Sequence, residues 1–176
     1  MSTDIKGRPA EPRDVAAITR IYNEGIADRI ATFETAPRTE SQVMRWLEGR
    51  FPAVVVENAP GEVVGFAATS AYRDRACYAG IAEFSVYVAR AQRGKGAGAV
   101  ALLALIEAAE KAGFWKLVSR IFIENETSRA LCRALGFREV GTYQRHGKLD
   151  GVWRDVVIVE RLIGEAAFTS SQVQDS

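Results

Sequence analysis

Hydrophobic positions in this chain follow two rhythms, and the switches between them outline the elements. After a short extended stretch near "IKGRPA", Pro12 opens a run in which Val15, Ile18, Ile21 and Tyr22 recur at helical spacing. Thr39 and Gln42 form a capping box ahead of Val43, Trp46 and Leu47, which predicts a second helix to about Arg50 and leaves "ADRIATFETAP" as a loop. The rhythm then changes. "AVVVE" and "VVGFAATSAY", joined by "NAPG", read as an antiparallel hairpin. In the next strand, "IAEFSVYV", Ala82, Phe84, Val86 and Val88 face one way and Ile81, Glu83, Ser85 and Tyr87 the other. Val100, Leu102, Leu103 and Ile106 predict a helix ending near Gly113, "WKLVSRIFI" a further strand, and Asn125 to Leu135 a shorter helix with Gly136 beyond its end. "REVGTYQ" and "VWRDVVIVERL" close the pattern as two strands around an "HGKLDG" turn.

These elements make a mixed α/β (α+β) chain with more strands than helices and no internal repeat. With 176 residues, 48% of them hydrophobic, one core is expected: residues 1–163 as a single domain and 164–176 as a polar, flexible tail. Lys and Arg total 23 against 22 Asp and Glu, and no basic block stands out, so no electrostatic grip on nucleic acid or an anionic membrane is expected. Cys77, Cys132 and the single His146 lack the spacing of a metal site. Without an apolar leader or a membrane-length segment, the expectation is a soluble, cytoplasmic protein with its thiols reduced.

Chemistry concentrates in "RAQRGKGAGAV", residues 90 to 100. Between a strand and a helix, such a turn can aim successive backbone N–H groups at an anion, with the helix dipole adding its positive end and Arg93 a full charge. A pyrophosphate suits it. Gly94, Gly96 and Ala99 also satisfy a relaxed dinucleotide fingerprint, but that reading needs an acid at the end of a second parallel strand about twenty residues on, where the chain has "LVSRIFI". A glycine turn without a ligand is the remaining alternative.

Together, "SVYVARAQRGKGAGAVALLALI" and "NETSRALCRALGF" resemble the GNAT superfamily of N-acetyltransferases, and "IYNEGI", "ATFETAP", "AEFSVYV" and "GVWRDV" resemble its phosphinothricin, methionine sulfoximine and arsinothricin branch. The resemblance implies a twisted, mostly antiparallel central sheet flanked by helices and splayed at a parallel strand pair, with pantetheine entering the gap. It implies acetyl-CoA as cosubstrate, no metal and a homodimer, for which Trp153 on the terminal strand is a candidate contact. Arg93, Gly94, Lys95, Gly96, Ala97, Gly98 and Ala99 would cradle the pyrophosphate, and Asn125 matches a second cofactor signature. Backbone of Val86, Tyr87 and Val88 would hold the thioester end. Glu83 is the candidate general base, with desolvation among Phe84, Val86 and Tyr87 expected to raise its pKa.

Arg73, Arg75 and Tyr78 occupy positions where the resemblance places substrate contacts, with Arg75 expected to matter more than Arg73. Phe33 would wall the pocket. His146 falls near the same site but reads as a turn residue. Cys132 stands where many relatives carry Tyr or His, and packing is the favoured reading of its thiol. The expected reaction is acetylation of a small anionic amino-acid-like toxin at its α-amine. A protein N-terminus, a polyamine or a non-catalytic acyl-CoA sensor are the alternatives.

Overall fold

The computed structural model describes residues 4–168. Its extended stretches are β1 (Lys6–Pro9), β2 (Ala53–Glu57), β3 (Val63–Ala71), β4 (Ile81–Val88), β5 (Lys116–Phe122), β6 (Arg138–Leu149) and β7 (Val152–Leu162). They form one sheet in the order β1-β2-β3-β4-β5-β7-β6. Every junction is antiparallel except β4 to β5, the parallel pair that the sequence resemblance implies.

Helices cover both faces. α3 (Ala97–Lys111) buries Leu102, Leu105 and Ile106 against the face that carries Ala82 and Phe84, and α4 (Glu126–Ala134) adds Cys132 to the same core. On the opposite face, α1 (Val15–Asp28) presents Ile18, Ile21 and Tyr22 to Phe66 and Tyr87, with α2 (Glu40–Met44) supplying Val43. The alternation read in β4 therefore separates two cores. Asp14, buried ahead of α1, accepts from Arg8 at 2.8 and 2.9 Å and fastens the start of that helix to β1.

Three boundaries differ from the sequence reading. The Thr39–Gln42 capping box is present, but α2 stops at Met44 and tightens into a 3-10 turn over Arg45–Leu47. The last hairpin turns on Asp150 and Gly151 alone, both at positive φ, so His146 to Leu149 extend β6 rather than forming a loop. Of the expected flexible tail, Glu165–Phe168 forms a short helix, α5, and Gly164 N–H donates to Glu110 Oε1. Residues 169–176 lie outside the described residues.

Candidate active site

Strands β4 and β5 pair only at Ile81↔Lys116, Ala82↔Leu117 and Glu83↔Val118. Beyond that, β4 stays with β3 as far as Val88 while β5 follows β7 to Phe122, and a wedge-shaped gap opens between them. Ser119 Oγ donates to Phe84 O across its apex at 2.9 Å. Ala89 N–H donates to Val64 O, which fixes the alternation of the β3–β4 ladder. Peptide groups of Ser85 and Tyr87 then face β3, and those of Phe84, Val86 and Val88 face the gap. Of the three residues expected to offer backbone there, Val86 and Val88 do so. Tyr87 does not: its ring packs 5.0 Å from Tyr22, and burial pushes its phenol pKa up.

At the open end of the gap, Gly94 and Gly96 adopt φ of +79° and +88°. Gly96 is the residue preceding α3, and a Cβ on it would meet nothing within 4 Å. The need for glycine is therefore conformational rather than steric. The first-turn N–H groups of Ala97, Gly98 and Ala99 have no intrahelical acceptor and carry the positive end of the helix dipole. Gly98 sits against α4, where an added Cβ would be 3.3 Å from Leu131 Cδ2. Lys95 is exposed.

Arg93, expected to add a full charge to the turn, has that charge paired: its Nη1 lies 2.7 Å from Asp28 Oδ2 and its Nε donates to Val88 O. Asn125 lines the gap, yet both polar atoms of its side chain are engaged. Oδ1 accepts from Ser128 N–H as the cap of α4, and Nδ2 donates to Ile30 O. Asn125 thus ties α4 to the loop that carries Phe33, instead of pointing a free amide at a ligand.

Next to the gap lies a cavity of about 480 Å³ whose walls include Phe33, Glu83, Ser85, Arg120 and His146. Phe33 meets Phe122 edge-on at 4.8 Å and presses on Gly147, where a Cβ would come within 2.9 Å of its ring. His146 reaches the cavity because β6 bulges between Tyr143 and Gly147, with Arg145 at φ +47° and its N–H donating to Asp155 Oδ1. It is a wall residue in a strand, not the turn residue that the sequence suggested.

Glu83 is 28% exposed, and Arg120 Nη2 donates to both its oxygens, at 3.1 and 3.2 Å. The expected desolvation among apolar neighbours is corrected accordingly. Phe84 and Val86 project from the opposite face of β4, and a guanidinium stands on the face Glu83 shares. Arg120 Nη1 lies 3.5 Å from His146 Nε2. Sequence reading passed over Arg120 as part of a strand, although a lone charge in the run "LVSRIFI" was a usable signal.

Arg73 lines an adjoining cavity with Glu83 and Arg120. Arg75 stacks over Tyr78 at 5.9 Å, and neither lines that cavity, the 480 Å³ cavity or the gap. Trp153 is 53% exposed, with Lys148 Nζ 4.5 Å above its ring. Cys132 is buried at the gap wall, and desolvation pushes its thiol up to about 11. Among the described residues there is no cluster of three or more His, Cys, Asp or Glu that could hold a metal, and no helix is long and apolar enough to cross a membrane.

Residues 18–137, which span the splayed pair and the glycine turn, match the acetyltransferase (GNAT) family. The chain belongs to the GNAT family. It is 34% identical over 164 residues to the L-methionine sulfoximine/L-methionine sulfone acetyltransferase of Pseudomonas paraeruginosa, covering 91% of this chain and 94% of the relative. The crystal structure of a GNAT superfamily phosphinothricin acetyltransferase from Sinorhizobium meliloti in complex with acetyl-CoA superimposes with a TM-score of 0.85 at 32% identity. The match covers 94% of this chain and 90% of that one. A ribosomal-protein-alanine N-acetyltransferase from Brucella melitensis aligns with a TM-score of 0.84 at 33% identity, over 89% of this chain and 99% of that one.

The protein is thus an N-acetyltransferase of the GNAT family with acetyl-CoA as its cosubstrate. The residues present fit that molecule. Free amides at the start of α3 suit a pyrophosphate, and the gap offers the peptide groups of Val86 and Val88 to an amide-bearing arm.

Proposed function

We propose that this GNAT enzyme acetylates the α-amine of a small anionic amino-acid-like toxin of the phosphinothricin, methionine sulfoximine or arsinothricin type. Capping the amine removes the toxin's likeness to its amino-acid counterpart. One observation carries the reading: the cavity that holds Glu83 and Arg120 adjoins the β4–β5 gap, and the two share Phe84, Ser85, Tyr87, Ser119 and Arg120 as walls. Relatives that act on such acceptors, by their names, support it.

Acetyl-CoA, when bound, supplies an activated acyl thioester. The chain's own residues do the rest. Amides of residues 94–99 hold the pyrophosphate, and the Val86 and Val88 peptide groups align the arm and polarise the carbonyl as negative charge develops on its oxygen. Glu83 accepts the proton that an ammonium must lose before its nitrogen becomes nucleophilic, directly or through water. Phe33 closes one wall, and Arg73 meets the acceptor's polar head.

Thiol release from acetyl-CoA, measured against phosphinothricin, methionine sulfoximine, arsinothricin, an alanine-terminated peptide and spermidine, tests the reading. The three amino acids are expected to give the highest kcat/KM. Preference for the peptide or for spermidine would overturn the acceptor class, and binding of acetyl-CoA without thiol release to any amine would leave a sensor. The same reading takes the chain as a cytoplasmic homodimer, its contact including Val152 and Trp153, which are 58% and 53% exposed. Light scattering at micromolar concentration should return twice the chain mass, and a monomer mass would refute the dimer.

A further inference from the structure

Resting on that reading, we infer that Arg120 is the residue that recognises the acceptor's α-carboxylate, so that the site selects α-amino acids over simple amines. Arg120 is the one permanently charged cation among the walls of the 480 Å³ cavity, and it also lines the gap and the cavity beside Arg73. Its guanidinium rests on the proposed base: Nη2 alone serves both Glu83 oxygens, while Nη1 faces His146 at 3.5 Å. Nε and the second hydrogen of Nη1 therefore remain as separate single donors, either able to make a charge-assisted bond to a second anion.

The geometry of an α-amino acid does the rest of the argument. Its ammonium and carboxylate are attached to one carbon and are inseparable in space. Glu83 and Arg120 are likewise a carboxylate and a cation in contact. An acceptor whose ammonium approaches Glu83 close enough to lose a proton brings its carboxylate up to Arg120, and the two charge pairs meet with opposite polarity. A polyamine offers the ammonium without the anion and leaves Arg120 uncompensated. Arg73, in the neighbouring cavity, is left for the variable head group.

The test compares two acceptors and three enzymes. L-methionine sulfone has a neutral head, so its α-carboxylate is its only anion, and its α-carboxamide removes that charge with little change in shape. The wild type should favour the acid in kcat/KM by on the order of 10- to 100-fold, the usual scale of a charge-assisted pair. In Arg120→Gln the ratio should fall to about one through KM for the acid, with Arg120→Lys in between. Acid and amide differ in amine basicity, but that difference is common to all three enzymes and cancels in the comparison of ratios. Arg120 is 48% exposed, and circular dichroism with acetyl-CoA affinity will verify that the variants are folded.

If Arg120→Gln keeps the wild-type ratio, or the wild type shows no preference for the acid, Arg120 does not read the carboxylate and the inference falls, while the proposed acetylation of amino acids stands. If neither sulfone nor amide is acetylated but another amine is, both fall together.

Discussion

The two halves of the site are built by different means. At the mouth of α3, backbone does the work: left-handed glycines, unpaired first-turn amides and strand peptide groups facing the gap. Its parts lie within fourteen consecutive residues, from Val86 to Ala99. The acceptor cavity is made by side chains instead, with Phe33 from the loop after α1, Glu83 from β4, Arg120 from β5 and His146 from the bulge in β6. On the proposed reading, the backbone cradle meets a phosphate group that every acetyl-CoA carries and tolerates wide change in side chains. A cavity assembled from four separate segments can change its acceptor by single substitutions, so specificity lives there.

The sharpest way to separate the halves is Glu83→Gln. Loss of a positioned general base typically costs roughly 10²- to 10⁴-fold in rate. The prediction is a fall in kcat of that order with acetyl-CoA affinity within about twofold of wild type, read by single-turnover kinetics and calorimetry. Unchanged turnover would show that Glu83 serves only to hold Arg120.

Gly96→Val attacks the other half. At φ +88° an L-residue costs about 1–2 kcal/mol, so the variant relaxes away from the left-handed conformation and must recover it to bind. Acetyl-CoA affinity should weaken about tenfold, and the ligand's upward shift in melting temperature should shrink by mass action. The relative kcat/KM among acceptors should stay as in wild type. If acceptor preference changes as well, the two halves are coupled and the division drawn above is wrong.

What could be read in the chain follows the same division. β2 and β4 begin and end where the pattern put them, because each is an apolar run bracketed by turn residues. The glycine turn ahead of α3 was legible because left-handed backbone calls for glycine at fixed local spacing. Glu83 was found as a candidate but its surroundings were misjudged. Its neighbours in sequence, Phe84 and Val86, project into the other core, and its partner in space comes from a strand 37 residues later. His146 was misread for a related reason: Asp150 and Gly151 suffice for the turn, and the bulge that aims the imidazole depends on pairing with β7. Arg73 and Arg75 lie two apart in a loop, where sequence offers no periodicity to decide which faces inward.

The smallest expected effect lies where the two halves meet, at Cys132 on the gap wall. Leaving CoA thiolate needs a proton, and a thiol beside the gap is an obvious donor. Burial pushes this thiol up to about 11, above the ordinary range of a thiol, so it is a poor proton donor to the leaving thiolate. It is no better placed as a nucleophile. Its relative exposure is 3%, and it packs into the core with Leu131 and Phe137, surroundings that disfavour a thiolate. Cys132→Ala should therefore keep kcat within about threefold while lowering stability by about 1 kcal/mol, the usual scale for a small core truncation. The measurements are steady-state kinetics under saturating acetyl-CoA and denaturant unfolding of the same preparation. A fall in kcat beyond about 100-fold, with folding and acetyl-CoA affinity intact, would mean that the thiol delivers the proton after all. The acceptor cavity would then share its chemistry with the gap wall instead of supplying all of it from β4.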